Sequence, residues 1–239
     1  LDAVNVVGAD CAVITPIGLD HQEFLGDDRE SIGFEKAGIM RAGRPVVCGD
    51  SDPPESVIAR AAELDAPLWR LGQDFSVEAE GENARYRVGE QEFLLPSPVL
   101  EGEHQLHNAV TALAAVLTVD PGAASNLQAL EGGLRSVRLK GRFERVAERP
   151  DVWIDVGHNP MGAEVVGRIL RAHGGGEGRR IHCVLGMLAD KDAESVVRVF
   201  DDVVTDWYCA GLNGARGQSG KQLAKRVSSA TGAATVRAY

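Results

Sequence analysis

VWIDVGHNPMGAEVV, residues 152–166, is the stretch whose reading decides the fold class of this chain. Its first half is a short apolar run rich in β-branched and aromatic residues, the composition of a strand. Asp155 ends that run, and a turn holding Gly157, His158 and Asn159 leads into a helix. Asn159 followed by Pro160 marks the helix start, because a carboxamide can accept from an orphan N–H of the first turn and proline has no N–H to leave unpaired. The same unit recurs downstream. IHCVLGM (181–187), DWYCAGL (206–212) and ATVRAY (234–239) read as strands, with helices expected over 161–172, 193–204 and 219–230. Regular strand–helix alternation implies βαβ units and a parallel sheet. Ligands of such sheets bind beyond the carboxyl ends of the strands, where helix N-termini favour anions. Asp155 and His158 fall at that place with no structural duty legible in the sequence, whereas Asn159 can cap, bind, or do both.

Working outward, LKGRFERV (139–146) is short and basic and reads as a connector between two domains. Its Arg142 is either an ordinary surface arginine or a phosphate ligand, for which a planar guanidinium fork is suited. Upstream, HQLHNAVTALAAVL (104–117) reads as a helix with Leu106, Val110, Leu113 and Leu117 on one face. Asn108 and His104 share the opposite face, where a solvated or capping role is the plain alternative to ligand binding. A second helix is expected over 125–134, and PLWRL, FSVEAE, ARYRV and EFLLP form a strand-rich patch (67–96). In the opening third, CAVITPI (11–17) and RPVVCG (44–49) read as strands. Asp27 with Glu30 fits a capping box between them, and Gly38 supplies the stop of that helix. His21, after the first strand, reads as a metal ligand or as a satisfied core histidine. Lys36 falls in the last helical turn, where the macrodipole favours a cation.

Bulk properties exclude several classes. With 239 residues, 44% of them hydrophobic and 25% charged, the chain can form two ordinary globular domains or one large one. The formal charge of −10, from 35 acidic and 25 basic side chains, disfavours nonspecific binding to nucleic acid or anionic membrane. Cys11, Cys48, Cys183 and Cys209 are far apart with no CxxC spacing, which fits free thiols in a reducing compartment better than a disulfide frame or a zinc site. No apolar run is long enough for a membrane span, and no signal-peptide pattern opens the chain, so a cytoplasmic location is expected. GQSGKQL (217–223) looks like a phosphate loop, but its glycines are too close and Gln222 stands where Ser or Thr is needed to hold magnesium. It reads as a turn into a helix. None of the expected strands is followed by the GxGxxG that a dinucleotide-binding module needs.

Singly these signals decide little; their order decides more. LDAVN (1–5), LDHQEFLG (19–26), FEKAGI (34–39), HNAVTALAA (107–115), GRFE (141–144), DVGHNP (155–160) and GMLADKD (186–192) follow one another along the chain. This series resembles the dihydrofolate synthase/folylpolyglutamate synthases of the Mur ligase family over essentially the whole length. The resemblance implies an α/β fold. Residues 1–139 would be the C-terminal part of a Mur-ligase-type ATP-binding domain, and residues 140–239 a smaller, truncated Rossmann-like glutamate ligase domain. It implies ATP-dependent ligation of L-glutamate to dihydropteroate and/or folate through an acyl phosphate, with Mg2+ as cofactor. His21 matches the magnesium-ligating histidine, and Lys36 a lysine carried as a carbamate. Asn108, Arg142, Asp155 and Asn159 match nucleotide positions, with Arg142 directed at phosphate and Asp155 towards the ribose. Leu1, Asp2 and Ala3 match the segment lining the pterin. His158 is expected to act in catalysis beside the nucleotide, and Lys191 is a candidate for glutamate binding.

The family's Gly-rich phosphate loop and a further magnesium-ligating glutamate are expected upstream of Leu1, and the distal part of the last domain beyond Tyr239. The chain alone is therefore expected to be inactive, and the protein to be a cytoplasmic monomer that binds no nucleic acid or membrane. Two competing readings remain: a Mur-family ligase acting on cell-wall precursors, and a nucleotide-binding module without catalysis.

Overall fold

Three short strands, β1 (Ala12–Ile14), β2 (Val46–Cys48) and β3 (Leu68–Arg70), form a parallel sheet in that order. All three residues of β2 are buried, as suits the middle strand of a sheet covered on both faces. The computed structural model describes residues 3–19, 26, 28–174, 180–232 and 235–239. It divides into two units, Leu1–Arg138 and Leu139–Tyr239, and each is described by itself.

In the first unit, β1 and β2 are followed in turn by helices α1 (Arg29–Ala37) and α2 (Glu55–Glu63). The N-cap of α1 is Asp28, whose carboxylate accepts the Ser31 N–H at 2.7 Å. That bond holds the Asp28 carboxyl below its ordinary range. This corrects the expected capping box: Asp27 lies outside the described residues, and Glu30 serves another helix. The Glu30 carboxylate accepts the N–H groups of Glu55 and Ser56, each at 2.9 Å, at the start of α2. Proline is the N-cap of α2 and offers no side-chain acceptor, so the neighbouring helix supplies one. Close packing follows, since a Cβ on Gly33 would lie 2.7 Å from Ser56 Oγ and 2.9 Å from Pro54 Cβ.

An antiparallel meander continues the chain, with β4 (Phe75–Glu80), β5 (Asn83–Val88) and β6 (Gln91–Pro96). Its inward residues Phe75, Tyr86 and Leu95 pack on Val110, Leu113, Ala114 and Leu117 of α3 (His104–Val119). Leu106 of the expected stripe is only partly buried. The end of β2 approaches α3 closely: a Cβ on Gly49 would lie 2.6 Å from Thr111 Oγ1. After a 3₁₀ turn (Pro121–Ser125), α4 (Leu127–Ser136) starts two residues later than expected, capped by Asn126, whose Oδ1 accepts from Ala129 N–H at 3.1 Å.

The second unit opens with an antiparallel pair, β7 (Glu144–Glu148) and β8 (Asp151–Ile154). Two expectations change here. Part of the supposed connector is strand, and β8 pairs antiparallel with β7 rather than heading the parallel sheet. Cross-strand side chains account for the pairing: Phe143 stacks on Trp153 at 4.6 Å between ring centroids, and Arg145 Nε meets Asp151 at 2.7 Å. The helix α5 (Pro160–Ala172) follows. The parallel sheet itself is β9 (His182–Leu185), β10 (Asp206–Cys209) and β11 (Thr235–Ala238), in the order β11-β10-β9.

Helices α6 (Ala193–Val199) and α7 (Gly220–Ala230) connect these strands. Val166 and Leu170 of α5, Val197 of α6, and Leu223 and Val227 of α7 share one core with Trp207 and Cys209. The helix expected to reach residue 204 stops at Val199. Val203 and Val204 N–H both turn back to the Phe200 carbonyl, while Asp202 pairs with Arg171 at 2.6 Å and Asp201 accepts from Gly232 N–H at 2.9 Å. Those partners lie off the helical path. Ser219 and Gln222 close a capping box at the start of α7, the arrangement of a turn entering a helix.

Candidate functional site

In the second unit the candidate residues gather where β8 ends. Asp155 is the first residue after β8, and each oxygen of its exposed carboxylate accepts one backbone N–H, Oδ1 that of Gly157 at 2.6 Å and Oδ2 that of Phe143 at 2.9 Å, which leaves further lone pairs open. Asp155 therefore has a structural duty that its sequence context does not reveal. It joins the turn before α5 to the strap before β7. His158 Nδ1 lies 3.1 Å from the Val156 carbonyl, and Asn159 Oδ1 accepts Gly162 N–H at 2.8 Å as the N-cap of α5.

The strap explains how Arg142 is presented. Gly141 and Phe143 both adopt left-handed backbone, at φ 67° and 44°. Gly141 must be glycine for a second reason, because a Cβ there would lie 2.7 Å from Val156 Cγ1 while its carbonyl accepts Val156 N–H at 2.9 Å. A bulky residue such as Phe143 in this conformation costs on the order of 1 kcal/mol or more. Burial of its ring to 6% exposure and stacking on Trp153 offset that cost. Between these two residues Arg142 points into solvent, and among the described residues its guanidinium makes no ion pair. The Phe143–Asp155 bond thus ties the segment bearing an exposed guanidinium to a carboxylate that lies five residues before a helix N-terminus. The first and last suit phosphate, and a carboxylate can accept from hydroxyls.

Lys191 lies elsewhere in this unit, in the loop between β9 and α6, with 9% of its surface exposed. Arg226 of α7 holds that loop. Its Nη1 donates to Ala189 O at 3.1 Å and its Nη2 to Lys191 O at 2.8 Å, while the guanidinium forks onto Glu194 at 2.8 and 2.6 Å. The fork holds the Glu194 carboxyl below its ordinary range. Beyond the ends of β10 and β11 lies an open concavity of about 530 Å3, lined by Gly211, Leu212, Asn213, Ser219 and Tyr239 among others. Gly217, Gln218 and Gln222, which with Ser219 belong to the phosphate-loop-like segment, line it as well, and the capping box at Ser219 and Gln222 bears out the reading of that segment as a turn into a helix.

In the first unit, Lys36 occupies the last turn of α1 with its side chain exposed, and among the described residues it has no ion pair. Asn108 is exposed on α3, its Nδ2 donating to Gln105 Oε1 at 3.0 Å. Ala3 begins a 3₁₀ turn (Ala3–Val6). Leu1, Asp2 and His21 lie outside the described residues. Among the described residues no group of three or more His, Cys, Asp or Glu side chains could hold a metal ion. Sequence reasoning missed Asp50, which follows the buried β2. Its Oδ2 accepts Ile17 N–H at 2.8 Å and pairs with Arg29 at 3.1 Å, tying the chain that leaves β1 to the start of α1. An acidic residue two positions after a fully apolar strand was the available signal.

The family model for the Mur ligase glutamate ligase domain matches residues 141–239. The dihydrofolate synthase/folylpolyglutamate synthase of Escherichia coli is 39% identical over 229 residues, which is 95% of this chain and 52% of that protein. The chain belongs to the Mur ligase family. Solved structures agree with that membership. E. coli FolC in complex with DHPP and ADP superposes with a TM-score of 0.88 at 37% identity, covering 100% of this Mur ligase chain and 55% of the other. The bifunctional folylpolyglutamate synthase/dihydrofolate synthase of Yersinia pestis, complexed with AMPPNP and a Mn ion, does so at 0.84 and 38% identity, with the same coverages. This chain spans about half the length of the curated relatives it matches.

Proposed function

We propose that this Mur ligase chain is part of an ATP-dependent enzyme that joins L-glutamate to dihydropteroate and/or folate. One observation carries the reading: 39% identity to a dihydrofolate synthase/folylpolyglutamate synthase across 95% of the chain. A carboxylate is a poor acylating agent, so ATP supplies the leaving group. The substrate carboxylate attacks the γ-phosphate and releases ADP, and the glutamate amine then displaces phosphate from the acyl phosphate to give an amide.

The residues take the following parts. Arg142 meets phosphoryl oxygens with its exposed fork, Asp155 accepts from the ribose, and Asn108 and Asn159 complete the nucleotide contacts. His158 stands beside the nucleotide where glutamate enters, and Lys191 takes a glutamate carboxylate. Ala3, with Leu1 and Asp2, lines the pterin. The Lys36 amine, exposed at a helix end, is open to CO2. The Lys36 ammonium first loses a proton; CO2 then adds to the neutral amine, forming an N–C bond and releasing a second proton, so that a cation becomes an anion. That anion and His21 help position magnesium. A magnesium ion that keeps waters and takes phosphate oxygens needs few protein ligands, which fits a donor set this small. When bound, the ion offsets charge on the transferring phosphoryl group. Residues 1–139 would form the distal part of the ATP-binding domain. The four free cysteines fit a reducing compartment, and we place the protein in the cytoplasm.

The test is ADP release by the full-length protein with dihydropteroate or folate plus L-glutamate, set against muramyl peptide precursors. ADP release only with the folate pair is expected. Turnover of muramyl substrates alone would move the protein to the cell-wall branch, and nucleotide binding without turnover of either would make it a non-catalytic module. Lys36→Ala is expected to abolish turnover, with partial return on adding a small carboxylate that replaces the carbamate. Full activity of Lys36→Ala removes the carbamate from the mechanism.

A further inference from the structure

The end of α1 carries a guanidinium that the ligation chemistry does not use. Arg41 follows Lys36 by five residues, and its Nη1 lies 3.3, 3.0 and 3.0 Å from the carbonyl oxygens of Gly38, Ile39 and Met40. Its Nη2 turns the other way. It donates to the Asn5 carbonyl and to Asn5 Oδ1, both at 2.8 Å, and lies 3.4 Å from Val7 O. Carbonyls just past a helix end lack intrahelical partners and carry the negative end of the dipole. A guanidinium can serve them and a second segment together because its donors fan out in one plane; an ammonium is a single point of charge. The second segment is the 3₁₀ turn Ala3–Val6, to which Asn5 belongs.

We infer that Arg41 and Asn5 form a positioning latch that sets the Ala3–Val6 turn, and with it the pterin-facing edge of the site, against the Lys36-bearing end of α1. The inference rests on the folate reading above. Neither residue touches the reacting atoms. Arg41 acts on the pterin side by holding backbone, and Asn5 by offering it two acceptors.

Steady-state kinetics of the full-length protein test this. Arg41→Met and Asn5→Leu are each expected to raise KM for dihydropteroate about tenfold, as loss of roughly 1.4 kcal/mol of positioning would. KM for ATP should stay within about twofold, because uniform damage would move both constants. Asn5→Asp keeps an oxygen acceptor for Nη2 and is expected to retain a near-normal KM for dihydropteroate; a merely structural role would not produce that rescue. An unchanged KM for dihydropteroate in Asn5→Leu, or equal damage from Asp and Leu at position 5, overturns the latch. If Arg41→Met fails to fold, the Asn5 pair decides alone. Absence of glutamate ligation by the unsubstituted protein ends the folate reading and the latch together, whereas an active protein with unmoved constants removes the latch only.

Discussion

Replacing Asn159 by alanine removes the oxygen that Gly162 N–H meets at 2.8 Å at the start of α5. The first turn of a helix has few free donors to satisfy, and Pro160 at the first position has already removed one. The cap therefore serves one of the N–H groups that remain, and its loss leaves that donor to water. The side chain is half-buried, so the cost should be close to the usual N-cap value of about 1 kcal/mol. For a unit of this size, Leu139–Tyr239, that lowers the melting midpoint by about 4–8 °C. Asn159→Ser separates scaffold from chemistry, since a hydroxyl caps well but has no amide. Followed by circular dichroism, serine should return most of the lost midpoint. If the amide also contacts nucleotide, calorimetric titration with a non-hydrolysable ATP analogue should still show serine binding several-fold more weakly, the worth of one hydrogen bond of about 1 kcal/mol. An unaltered midpoint in Asn159→Ala refutes the capping argument. Full recovery of both midpoint and affinity in Asn159→Ser refutes the nucleotide contact.

Leu223, fully buried among Val197, Trp207 and Val227, should cost about 2–5 kcal/mol on truncation to alanine, read as a lower urea midpoint for the second unit. Gly33→Ala should destabilise the first unit by about 1–3 kcal/mol, because the new methyl meets Ser56 Oγ, which cannot swing away without leaving the Glu30 carbonyl at 2.8 Å. The Glu194–Arg226 fork should appear in the pH dependence of stability. The folded carboxyl titrates below its ordinary value of 4.5, so its contribution is complete above that value and is lost as pH falls through the lower folded value. Glu194→Gln should therefore be less stable than the parent at neutral pH and converge with it in acid; a gap that persists in acid would show that the charge is not responsible.

The alternation of the second half was legible because each of its strands is a short apolar run with turn residues beside it, and Asn159-Pro160 announces its helix locally. The elements that escaped notice depend on partners distant in sequence. α2 has only proline at its N-cap and borrows Glu30 from another helix, 25 and 26 residues upstream of the amides it accepts. β7 reads as a polar connector because Glu144, Arg145 and Glu148 dominate it, and only pairing with β8 makes it a strand. The early end of α6 was hidden by Val203 and Val204, which prolong the apolar pattern past the turn. Among candidate site residues, the place of Lys36 in a last turn followed from Gly38 as a stop. The tie between Asp155 and Phe143 could not be foreseen, since it needs a bulky residue at positive φ. Arg41 was passed over because it lies beyond its helix and its partners on the other side are 34 and 36 residues away.

The near-contact of Gly49 with Thr111 limits how the first unit can respond to a ligand. Thr111 is pinned in turn, its hydroxyl donating to the His107 carbonyl at 2.6 Å. The end of β2 and α3 are therefore closely packed one turn from Asn108, with no room for a side chain at position 49. A seam this tight opposes sliding of helix against strand, because interiors are close-packed and a displaced Thr111 would press on the Gly49 backbone.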